Sequence, residues 1–131
     1  MAAETTVLVI DPPGAGPQDY IRAWVVSKEG VLIASYTGNY HPLSTTDAML
    51  ELDICLVNLE ARRLKDRVTH CVMPCNFGLE AEHLMPRVKE RWPHVLCASG
   101  MSRRMQDGVA DENWPLAFAR RSLETASVVW T

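Results

Sequence analysis

Thr6-Val7-Leu8-Val9-Ile10-Asp11-Pro12-Pro13-Gly14 opens with an apolar run rich in β-branched residues and breaks at an aspartate followed by two prolines. Such a run is a buried strand, and proline, lacking the amide proton a ladder needs, forbids its continuation. The chain therefore begins with a buried first strand that stops at Asp11.

Outward from that strand, residues 20–27 and 31–36 are two more strand-like runs. They are joined by Lys28-Glu29-Gly30, whose glycine can take a positive φ, and they make an antiparallel hairpin. Over 44–64 the residues Met49, Leu52, Leu56, Leu59 and Leu64 fall near one stripe, the spacing of a helix. Ser44, Thr45 or Thr46 can cap it, and Asp47 suits its first turn. Residues 68–73 read as a fourth strand, ended by Pro74-Cys75-Asn76-Phe77-Gly78. A helical segment over 79–92 follows, which Pro86 is expected to bend or divide. Residues 94–98 make a fifth strand, 100–113 are polar and irregular, and a last helix over 114–125 has proline in its first turn. The predicted order is β-β-β-α-β-α-β-α.

At 131 residues, 47% hydrophobic and 22% charged, the chain suits one soluble domain with a real core. No repeat, low-complexity tract or linker divides it, so one domain over 1–131 is expected. The longest apolar runs fall far short of a membrane span, and Met1-Ala2-Ala3-Glu4 has neither part of a secretory signal. With four cysteines mostly in apolar patterns, a reducing compartment, cytoplasm or nucleus, is expected. A net charge of −3 excludes a globally basic nucleic-acid binder, so any such contact must come from a local patch. Two basic groups qualify: Arg62, Arg63, Lys65 and Arg67 after the long helix, and Arg103, Arg104, Arg120 and Arg121. His70, Cys71 and Cys75 lack the spacing of a four-ligand zinc site and read as core or loop side chains.

The order of elements, with an aspartate ending the first strand and a long helix after the hairpin, resembles ribonuclease H, most closely the domains of retroviral reverse transcriptases. The resemblance spans nearly the whole chain. Val-Leu-Val-Ile-Asp11 matches the family's first strand, although Pro12-Pro13 replaces the usual glycine-serine. Ala23-Trp24-Val25-Val26 and Val31-Leu32-Ile33-Ala34 resemble its second and third strands. Ser44-Thr45-Thr46-Asp47-Ala48-Met49-Leu50-Glu51-Leu52 resembles the segment that delivers its glutamate, placing Glu51 there. The resemblance implies an α/β fold: a five-stranded mixed sheet, its first three strands antiparallel, with flanking helices.

It also implies a metal site, and there the match fails. The family closes its fourth strand with an aspartate, where this chain has Pro74-Cys75-Asn76. Its loop histidine falls at Met101, and its last aspartate at Trp114 to Leu116, with Asp111 a substitute only if the register slips. His41, His70, His83 and His94 sit elsewhere and read as surface or packing residues. Cleavage by this family needs two divalent ions about 4 Å apart, held by carboxylates because Mg²⁺ is a hard cation. Asp11 and Glu51 could converge on one weakly held Mg²⁺ or Mn²⁺ ion; Asn76 offers only a neutral carbonyl and Cys75 a poor ligand. No cofactor is expected beyond such an ion. The site reads as vestigial, and the chain as a catalytically inactive module of retroelement origin within a larger polypeptide. Its expected partners are neighbouring domains and RNA or an RNA–DNA hybrid, with no membrane. Host proteins that join a NYN nuclease domain to an integrase-like region, and also carry a ribonuclease H-like segment, fit this picture. The alternative is a weak metal-dependent nuclease cutting the RNA strand of hybrids with Asp11, Glu51 and Asp111.

Overall fold

The computed structural model describes residues 4–12, 20–39, 44–74, 79–100, 113–125 and 128–131. Within them the elements run β1 (Thr6–Asp11), β2 (Arg22–Ser27), β3 (Leu32–Thr37), α1 (Thr45–Ala61), β4 (His70–Pro74), α2 (Leu79–Arg91), β5 (Leu96–Gly100) and α3 (Trp114–Glu124). The strands form one sheet in the order β3-β2-β1-β4-β5. β1–β2 and β2–β3 are antiparallel, while β1–β4 and β4–β5 are parallel. This is the mixed sheet expected from the sequence, with the ribonuclease H-like topology.

β1 fixes the layers. Side chains alternate along a strand, so Leu8 and Ile10 enter one apolar cluster while Val7 and Val9 enter another. All four are fully buried. The first cluster lies under α1 and α2, with Leu52, Leu56, Leu59, Leu84, Val88 and Trp92. The second lies under α3, where Trp114 meets Trp24 and Phe118 edge to face at 5.3 and 5.8 Å.

α1 starts at Ser44, whose hydroxyl accepts from the Asp47 amide at 3.1 Å. It ends three residues before the predicted limit, in a turn that satisfies its last carbonyls. The Arg63 amide donates to the Glu60 carbonyl and the Leu64 amide to the Leu59 carbonyl. This is the pairing of a Schellman turn, and the buried Leu59 and Leu64 supply its apolar contact. The left-handed residue in such a turn is usually glycine; here it is Arg63, with φ 60°.

Two bidentate ion pairs clamp α1 to α2. The Arg87 guanidinium donates to Asp53 at 3.0 and 2.7 Å, and that of Arg91 to Glu60 at 3.0 and 3.1 Å, where the Trp92 indole adds a third bond at 2.9 Å. These bonds hold the Asp53 and Glu60 carboxyls below their ordinary pKa values, Asp53 through Arg87 and Glu60 through Arg91 and then Trp92. Because the folded values are depressed, the clamps stabilise at neutral pH and are lost as pH falls through those values. Pro86 does not divide α2. Its ring leaves the Glu82 carbonyl without a helical partner, but both residues face solvent, where water can serve.

At the far edge, the Thr131 amide donates to the Cys97 carbonyl and the Cys97 amide to the Thr131 carbonyl, at 2.9 and 3.0 Å. Trp130 is half-buried, edge-on to the His70 ring at 4.8 Å. Arg63→Gly is expected to raise stability by roughly 0.5–1 kcal/mol, since a left-handed backbone costs an L-residue about 1–2 kcal/mol and glycine returns part of that as chain entropy. Urea unfolding checks it; a loss of stability would mean that the Arg63 side chain contributes more than its backbone costs.

Candidate metal site

Asp11 ends β1 and stands opposite Arg22, the first residue of β2. The Arg22 guanidinium donates to Asp11 Oδ2 at 2.8 Å and lies over the Trp24 ring, 5.4 Å from its centre. Alternation along β1 puts Asp11 on the side of Val7 and Val9, the α3 face, and alternation along β2 puts Arg22 with Trp24 on that face too. A cation already lies against the first candidate carboxylate. Their pairing is a matter of register, which the hairpin turn and strand order set.

Glu51 reaches the same end of the sheet from the other face. It sits on the buried side of α1 with Ala48, Leu52 and Cys55, only 5% exposed, rather than on a solvated flank. Gly38, just past β3, donates its amide to the Ile21 carbonyl at 2.7 Å and closes over the carboxyl. A Cβ on Gly38 would lie 3.1 Å from Glu51 Oε2 and 2.8 Å from Ile21 Cγ2, so only glycine fits. Among the described residues Oε2 is buried with no hydrogen-bond partner. Burial, and then the nearby negative charge of Asp47, raise the Glu51 carboxyl above its ordinary pKa. The Cys55 thiol is pushed up to about 12, by burial first and then by Glu51.

The remaining expected positions contribute no described carboxylate. β4 closes on Pro74, and Cys75, Asn76, Met101 and Asp111 lie outside the described residues. Trp114 and Pro115, at the start of α3, are buried, with Trp114 in the α3 core. His70 and Cys71, adjacent on β4, point to opposite faces, His70 toward Trp130 and Cys71 into the α1 core. His94 Nε2 donates to the Lys65 carbonyl at 2.9 Å, and His83 is exposed. Among the described residues no three His, Cys, Asp or Glu side chains gather as a metal cluster, and no helix is long and apolar enough to cross a membrane.

Asp11 and Glu51 thus share one end of the sheet but approach it from opposite faces. A carboxyl group must be ionised to hold Mg²⁺, and burial with no partner among the described residues works against that at Glu51. Compared with models of known protein families and with curated protein sequences, the chain matches none.

A carboxyl whose folded pKa is raised binds its proton more tightly in the folded than in the unfolded chain. Stability therefore falls as pH rises from the ordinary carboxylate value through the raised one, and the full penalty persists above it. Glu51→Gln removes that penalty. It is expected to raise Tm at pH 7–8 and to give little gain below about pH 4, where both states are protonated. An equal shift at both pH values would show that the carboxyl is ionised in the folded chain without cost.

Proposed function

We propose that this chain is a catalytically inactive ribonuclease H-like module of retroelement origin, acting as a structural and nucleic-acid-contacting part of a larger protein. The observation that carries the reading is the Arg22 guanidinium against Asp11 at 2.8 Å. In a two-metal hydrolase the first-strand aspartate faces a divalent ion; here a fixed organic cation takes up one of its oxygens. Two further features point the same way. The Glu51 carboxyl is raised rather than lowered in pKa, and Gly38 seals it against the core. β4 ends on proline where a ligand is needed.

Descent from a retroelement polymerase rests on the order and spacing of the matched segments, Val7 to Asp11, the hairpin, and Ser44 to Leu52. The host proteins that join NYN and integrase-like regions are the setting this reading favours. A protein-contacting role has an observation of its own: Leu50, Ile54 and Val57 form an outward stripe on α1, each about half exposed. Helical spacing puts the three on one side of the helix, and such a stripe on an otherwise polar surface marks a contact face.

The purified chain is expected to leave a labelled RNA–DNA hybrid intact in Mg²⁺ and in Mn²⁺, and Arg22→Ala is expected not to restore cleavage, because the β4 ligand is still missing. Metal-dependent cleavage abolished by Asp11→Asn would overturn the inactive reading and favour a weak nuclease built on Asp11, Glu51 and Asp111.

A further inference from the structure

The turn from α1 to β4 carries Arg62, Arg63, Lys65 and Arg67 against a single carboxylate, Asp66, in a chain whose net charge is −3. Arg62, Arg63 and Arg67 are exposed, whereas Leu64 between them is buried. Arg22, Arg87, Arg91 and Arg120 are each held by a carboxylate. Arg63 and Arg67 have no ion-pair partner among the described residues. Asparagine-held Arg62 is also directed: its guanidinium donates to the Ser35 carbonyl at 2.9 Å and to Asn58 Oδ1 at 3.5 Å. Arg63 keeps a charged side chain at a backbone position where glycine would be relaxed.

We infer that this turn is a phosphate-backbone-binding corner, distinct from the sheet end that holds Asp11 and Glu51. The topology separates the two. β4 is parallel to β1, with His70 beside Val7, and the Thr69 amide donates to the Thr6 carbonyl. The turn therefore lies at the start of β1 and Asp11 at its finish, roughly 17 Å away along a six-residue strand. A nucleic acid held here lies outside the groove in which the fold's hydrolases work.

The chemistry selects the ligand class. Three of the four cations are arginines, whose planar fork suits the paired oxygens of a phosphodiester. No exposed apolar side chain lies in the turn to enter a bilayer, which an interfacial membrane anchor requires. The bland role of these cations is to complement the C-terminal dipole of α1. That role asks for charge near the last carbonyls, and it gives no reason for arginine at the left-handed position. Only the choice of a nucleic acid as partner rests on the functional reading above; the position of the corner does not.

The test is fluorescence anisotropy of a labelled RNA–DNA hybrid titrated with the whole chain over a range of salt. The double variant Arg63→Glu, Arg67→Glu is expected to weaken binding at least tenfold at low salt. It should also flatten the log–log salt dependence by about 1.8, at about 0.9 per lost phosphate contact. Arg120→Glu, an exposed arginine on α3, should change affinity less than twofold. Arg63→Gly separates the two roles: it is expected to raise Tm while weakening hybrid binding, a pairing that a purely structural cation would not give. Full binding by the double variant would place the nucleic acid elsewhere and overturn the corner while leaving the module reading intact. Polyglutamate competing as well as unlabelled hybrid would overturn it in favour of acidic proteins. No binding by the wild-type chain, even at low salt, would sink both the corner and the nucleic-acid part of the functional reading.

Discussion

Four consecutive residues, Val7 to Ile10, all fully buried, set the terms for everything else in this chain. A strand apolar on both faces cannot leave either to water, since each fully buried Val, Leu or Ile contributes about 1.5–3 kcal/mol by leaving it. It must therefore lie inside a sheet with a layer on each side. β2 and β4 supply the flanking strands, α1 and α2 one layer, and α3 the other. The alternation that divides Leu8 and Ile10 from Val7 and Val9 is the same one that sends Asp11 to the α3 face. The central packing constraint thus also decides which neighbour the candidate carboxylate finds.

Among the described residues, Glu51 and Arg63 are two places where the chain departs from local preference. A carboxyl buried against Gly38 with no partner for Oε2 among the described residues, and an arginine in a left-handed turn, are both choices that stability alone would reverse. They differ in kind. Glu51 lies on the face of α1 that packs into the core, where an ionised carboxylate is disfavoured. Arg63 stands at a surface turn, where nothing in the packing demands a cation. Local conflict of this sort, in a fold otherwise consistent from pattern to packing, is where functional demands are expected to show.

Of the fold, the eight elements and their order were legible because each rests on local rules: β-branched runs, helical spacing, the Ser44 cap, the proline after the fourth strand. The boundaries shifted by up to three residues. α1 stopped at Ala61 because the Leu59–Leu64 contact closes its turn, and α2 ran through Pro86 because the carbonyl it strands faces water.

The sequence by itself determined the β-β-β-α-β-α-β-α order, a soluble-type composition, and the lack of a carboxylate directly after the fourth strand. These follow from residue type and short-range spacing, which act before any long-range contact forms. Only the tertiary structure decided that Arg22 binds Asp11, that Glu51 is sealed rather than solvated, and that the basic turn lies at the opposite end of the sheet from both. Each depends on strand register, on the rotation of α1 about its axis, or on the parallel pairing of β1 with β4. Those are properties of packing between segments far apart in sequence, and local pattern does not encode them.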